Sequence, residues 1–232
     1  MEETNETLES VKGFWEKHSK NIIYIGSAAI ILFAGYIGYN KLIKEPKELK
    51  AAEAIFPAEG LFGKMATAGF NKDSVNIVLN GGTLEGSKIT GLLKIISDNS
   101  GSSTANRANY MAGACYLQIK EYDKAIKYLK DFDGGDAFQI KSKAYIMLGH
   151  AFSEKNNVEE AMGFYKKAAE VNDKDESITP DALMLCGNYA EANNKNKEAA
   201  DFFKKLKDNY PNYVSVSNGD VDKHLARLGE FN

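Results

Sequence analysis

Histidine and cysteine are scarce in this chain, three and two residues among 232. The histidines, at 18, 150 and 224, form no His-Glu-x-x-His pair and the cysteines no Cys-x-x-Cys. A metal site, a Cys–His dyad or any other catalytic centre therefore has no local support, and no cofactor is called for. A basic field is missing too. The formal charge is −3 at pH 7 and acidic and basic residues nearly balance beyond residue 101, which excludes a phosphate-backbone partner. The glycine-rich stretch SVNIVLNGGTLEGSKIT lacks the order of a phosphate-binding loop, because Ser87 stands between Gly86 and Lys88. DFDGGD at 131–136 lacks the order of a calcium loop, because its twelfth position is Ser142 where a bidentate Glu belongs. Both read as turns between helices. Disorder is excluded by 44% hydrophobic and 26% charged residues, enough for one compact domain or an elongated array.

What is present begins with Ile22 to Tyr39, IIYIGSAAIILFAGYIGY, a run without a charge. Its length is close to the ~20 residues that cross ~30 Å of hydrocarbon as a helix. Lys17, His18 and Lys20 before it and Lys41 and Lys44 after it reach headgroups, while Trp15, Tyr24, Tyr36 and Tyr39 suit the aromatic belts. A cleaved signal peptide fits poorly, since Glu2, Glu3, Glu6, Glu9 and Glu16 precede the run and no Ala-x-Ala site follows. The lysine count does not fix the orientation: Lys12, Lys17 and Lys20 lie before the run and Lys41, Lys44, Lys47 and Lys50 after it. Leu8, Val11, Phe14 and Trp15 allow a short amphipathic helix over 6–18, and a frayed tail is the alternative.

Further along, three glycines set a period. Gly113 in NYMAGACY, Gly149 in YIMLGHAF and Gly187 in LMLCGNYA are separated by steps of 36 and 38 residues. Twelve residues after each stands an alanine: Ala125, Ala161 and Ala199. Such a period predicts a solenoid of helix pairs. The middle copy, with Tyr145, Leu148, Gly149, Phe152, Ala161, Tyr165 and Ala168, resembles the tetratricopeptide repeat most fully. The first copy supplies Gly113, Tyr116, Ala125 and Leu129, and the third Cys186, Gly187, Ala199, Phe203 and Pro211. Apolar spacing, the Thr179-Pro180-Asp181 start and the Asn209-Tyr210-Pro211 stop place helices at 104–119, 122–132, 139–154, 158–171, 180–193 and 196–209. Val221, Leu225 and Leu228 share a face that would cap the open end. Cys115 and Cys186 lie on A helices two repeats apart, beyond disulfide reach, and read as buried thiols.

KELKAAEAIFPAEGLFGKMATAGF reads as helix with a break or restart at Pro57, and ITGLLKIISDN as a second short helix. The expected fold class is all-α: a 1–20 tail, a 21–40 transmembrane helix, degenerate helical hairpins over 41–103, three repeats over 104–211 and a 212–232 capping segment.

In the tetratricopeptide family ligands meet the concave row of the A helices, which here falls on Tyr110, Ala114, Ile146, His150, Met184 and Asn188. Where relatives clamp a carboxylate with Lys, Asn and Arg, this chain has Tyr110, Ala114, Met147, Asp181 and Leu185, so that clamp is absent. An apolar strand or amphipathic helix of a partner suits the row. The same residues could instead pack within the array, leaving the convex face to a partner.

The layout as a whole resembles the YfgM-like membrane-anchored tetratricopeptide proteins in the form seen in Bacteroidetes. The resemblance rests on the acidic tail, the single anchor, FPAEGLFGKMATAGFNKDSVNIVLNG and YMAGACYLQIKEYDKAIKYLKDF. It implies an inner-membrane protein with a cytoplasmic N-terminus and periplasmic repeats. Its implied partners are the SecYEG translocon and a PpiD-like periplasmic chaperone, with no nucleic acid and no small-molecule substrate. A scaffold for another envelope assembly or secretion complex is the alternative, and an enzyme would need a polar cluster that this sequence does not display.

Overall fold

The computed structural model describes residues 2–230, with side chains from residue 12 onward. The expected amphipathic positions Leu8 and Val11 lie outside the described side chains. Two compact units divide the chain, residues 1–50 and 51–232. The fold is nearly all helical.

The first unit is built on α1 (Glu2–Tyr39) and a π-helical turn at Asn40–Lys44, followed by the start of α2 (Glu45–Ala68). The apolar stretch of this helix is unburied and long enough to cross a membrane. Ile25, Ile30, Leu32 and Phe33 each leave about two thirds or more of their surface open. The Ser27 hydroxyl donates to the Ile23 carbonyl at 2.7 Å, so the polar group in mid-run is satisfied within its own helix, as hydrocarbon requires.

The second unit takes in the rest of α2, where Ala51, Ile55, Ala58, Leu61 and Met65 form one buried stripe at helical spacing. The helix runs through Pro57 without the expected break. Burial on either side, at Ile55 and Ala58, outweighs the ~3 kcal/mol that an interior proline costs. After it come α3 (Lys72–Asn80), a hairpin of β1 (Gly82–Leu84) and β2 (Ser87–Ile89), and α4 (Leu92–Asp98). The expectation of a plain glycine turn between helices is corrected here: the two strands pair antiparallel, with Gly82 opposite Ile89. Glu85 and Gly86, at φ 51° and 80°, supply the positive dihedrals of the tight turn, and a Cβ on Gly91 would sit 2.4 Å from the backbone of Asn80 and Gly81.

Three helix pairs follow: α5 (Ser103–Gln118) with α6 (Tyr122–Lys130), α7 (Phe138–Glu154) with α8 (Val158–Glu170), and α9 (Ile178–Ala192) with α10 (Asn196–Asn209). All six begin and end within two residues of the positions expected from sequence. One contact recurs in each pair. A Cβ on Gly113 would lie 2.5 Å from Leu129 Cγ, on Gly149 2.3 Å from Tyr165 Cε1, and on Gly187 2.5 Å from Phe203 Cε1. The glycine lets the B helix press a large side chain against the A-helix backbone. Ala125, Ala161 and Ala199 are wholly buried beside this contact.

Each A helix closes on a left-handed residue, Lys120, Asn156 or Asn194, and the next amide donates back to Tyr116, Phe152 or Ala190 respectively at 2.9 Å. Cys115 and Cys186 are free and buried, and burial pushes both thiols up to about 12. The array ends in α11 (Val214–Ser217) and α12 (Asp220–Arg227), the latter burying Val221 and Leu225 against α10.

Candidate protein-binding surface

The A helices form a continuous layer, α7 touching both α5 and α9. Along it the first of the two row positions in each repeat is half-buried: Tyr110, Ile146 and Met184. Tyr110 packs its ring 5.2 Å from that of Phe132, and burial pushes its phenol above the usual tyrosine value. Ile146 and Met184 lean on one core cluster with Ala161, Tyr165 and Leu183. The second position differs from repeat to repeat. Ala114 is buried at 7% exposure and offers no contact area, whereas His150 and Asn188 are exposed.

His150 is tied to the repeat's own glycine contact. Its Nδ1 lies 2.9 Å from the hydroxyl of Tyr165, the ring that presses on Gly149. With the proton on Nε2, Nδ1 accepts from that hydroxyl. Burial of this ring edge lowers the His150 pKa below its ordinary 6.5, partly offset by Glu154. Tyr165 in turn meets Tyr189 edge-on at 5.0 Å, which links the middle and last repeats. Protonation of Nδ1 removes this acceptor and reverses the bond, the imidazolium donating to the Tyr165 oxygen.

Other polar groups here are committed to the scaffold. Asp181 accepts from the Tyr213 hydroxyl at 2.7 Å, and burial together with that bond pushes the phenol up to about 12. Asn106 grips the loop after α6, donating to the Asp133 carbonyl and accepting from its amide, both at 2.7 Å. Glu191 accepts from Arg227 Nε at 3.1 Å and lies 2.6 Å from His224 Nδ1, fastening α12; burial opposes its ionisation, yet these bonds still leave it below the usual carboxylate value. Sequence spacing gave no signal for these clamps, because each joins residues about 30 positions apart. Among the described residues no cluster of three or more His, Cys, Asp or Glu is placed to hold a metal. The strip thus exposes His150 and Asn188 beside the half-buried Tyr110, Ile146 and Met184.

Comparison with known families covers the three helix pairs. One tetratricopeptide-repeat model covers residues 107–132 and 142–175, and a second covers 181–213. These are tetratricopeptide repeats, units of a protein-interaction scaffold. No curated protein matches the chain. A solved structure described as "MamA RS-1 ArsTM double mutant" is similar over 88% of this chain and 96% of its own, at 17% identity and a TM-score of 0.48. No enzyme family is indicated by the tetratricopeptide matches.

Proposed function

We propose that this chain is a membrane-anchored adaptor whose repeats bind protein segments at the periplasmic face of a bacterial inner membrane. Residues 22–39 cross once, with the N-terminus in the cytoplasm. The partner surface is the strip holding Tyr110, Ala114, Ile146, His150, Met184 and Asn188. The protein works as an ancillary subunit of the SecYEG translocon or with its associated PpiD-like chaperone. One observation carries the reading: a single chain holds both an unburied, membrane-length apolar helix and three repeats of an interaction scaffold. The translocon and chaperone rest on the resemblance to YfgM-like proteins, above all at Phe56 to Gly81.

Copurification from membranes in mild detergent, followed by mass spectrometry, tests the proposal. Translocon subunits or a prolyl-isomerase-like chaperone are expected with the natural chain. Ile146→Glu is expected to lose them while keeping its helical circular-dichroism signal, because the new carboxylate is desolvated against an apolar partner. Recovery of a different envelope complex overturns the Sec assignment, and retention of the partner by Ile146→Glu overturns the strip. Protease added outside spheroplasts must trim the repeats; their protection overturns the orientation.

A further inference from the structure

One face of α2 is left exposed along residues 53–67. At about 100° of turn per residue, Glu53, Phe56, Gly63, Lys64 and Thr67 fall within about 60° of Gly60, and the buried stripe from Ala51 to Met65 lies on the opposite side. Phe56 is 73% exposed, more than any other large apolar side chain described beyond residue 50. Beside it is a notch.

Gly60 and Gly63 form that notch. A Cβ on either would meet nothing within 4 Å, whereas one on Gly113, Gly149 or Gly187 would strike a side chain of its own repeat. Glycine inside a helix is less stable than alanine, and here no contact within one chain requires it. Two glycines on one helical face admit a large side chain from outside. Glu53 and Lys64 stand towards either end of the face, with no ion pair among the described residues. One helix thus carries a knob, a notch, an anion and a cation, the parts that a self-complementary contact needs.

We infer that α2 binds α2 of a second copy in an antiparallel crossing centred between residues 58 and 59. A two-fold axis laid across such a pair keeps the lateral side of each residue and reverses its height along the helix. Phe56 and Gly63 lie on one side of Gly60, Glu53 and Lys64 on the other. Phe56 of each copy therefore enters between Gly60 and Gly63 of the other. Glu53 lies as far below the axis as Lys64 lies above it, so Glu53 of each copy meets Lys64 of the other. A parallel pair would set Glu53 against Glu53 and Phe56 against Pro57, which the charges oppose. One helix crossing covers less than the ~1,200–2,000 Å² of a stable complex, and the dimer is accordingly weak and concentration-dependent.

The full chain in detergent micelles is tested by disulfide cross-linking under mild oxidation. An equal mixture of Glu53→Cys and Lys64→Cys chains should give about fivefold more linked dimer than either variant alone, since only the mixed pair brings the two thiols within reach. Cys115 and Cys186 are buried and take no part. In sedimentation equilibrium Glu53→Lys should weaken dimerisation about tenfold, and Lys64→Glu added to the same chain should restore it by remaking the pair. Gly60→Leu should weaken it about tenfold without lowering the melting temperature, because the new side chain fills the notch and meets nothing in its own chain. A natural chain that stays monomeric up to its solubility limit, Glu53→Cys chains that link as well alone as in the mixture, a double charge swap that does not restore dimerisation, or Gly60→Leu chains that pair as well as the natural ones overturns the inference.

Discussion

In residues 103–209 one packing problem is solved three times, by a glycine on the A helix and a large side chain sixteen positions later on the B helix. In residues 51–98 a smaller core is assembled once, from a proline-containing helix, a short helix rich in β-branched residues and a two-stranded hairpin. The first region spreads its stability over equivalent contacts, any of which can be read from its copies. The second depends on single contacts with no copy, such as the backbone approach at Gly91. Repetition makes a fold legible, and the unrepeated part is where the chain departs from its pattern.

The sharpest test of this difference is Gly149→Val. The added atoms would fall 2.3 Å from the ring of Tyr165, a side chain only 2% exposed and unable to move aside. A loss of about 3 kcal/mol is expected, at the upper end for overpacking, with the repeats melting at lower temperature as a block. A variant that melts like the natural chain would mean that the glycine contact is dispensable.

Gly91→Ala strikes the unrepeated region. The clash there is with backbone at the end of α3, 2.4 Å from Asn80 and Gly81, next to a hairpin whose residues are mostly exposed. About 1–2 kcal/mol is expected. Hydrogen exchange should speed up in residues 72–98 and stay unchanged in α7–α10; equal acceleration throughout would break the contrast.

The smallest effect is His150→Gln. Folding lowers the His150 pKa, so as pH falls the unfolded chain takes up this proton first. The stabilising contribution is therefore whole above pH 6.5 and is lost as pH falls from there through the folded value. Melting temperatures measured between about pH 7.5 and about pH 5.5 should decline less steeply in the variant. An identical slope would mean that folding does not lower the His150 pKa through burial.

The same contrast governs what could be read from the sequence. Gly113, Gly149 and Gly187 with their alanines placed six helices to within two residues, because spacing and packing express one constraint. SVNIVLN, read with the glycines after it as a turn, is helix α3 instead: the Ser74 amide donates to Asn71 Oδ1 at 2.8 Å, and Val75, Val78 and Leu79 bury one helical face, so tertiary packing overrides the weak local preference of its β-branched residues. Pro57 misled for the same reason. The π-helical turn at 40–44 left no mark in composition. Of the six strip residues, spacing identified which lie on the A helices, but burial at Ala114 and the His150–Tyr165 bond depend on neighbours that a period cannot supply.

The turns between A and B helices are three residues long in every repeat: 119–121, 155–157 and 193–195. The glycine-to-alanine distance is accordingly constant, and the two-residue difference between the first and second steps falls wholly between Ala161 and Gly187. The repeats therefore differ in length on the B-to-A side, within the helices themselves. The seven-residue connections at 131–137 and 171–177 are places where an added segment leaves each glycine in register with its own partner, whereas an insertion at 119–121, 155–157 or 193–195 turns the glycine of that one repeat away from its partner.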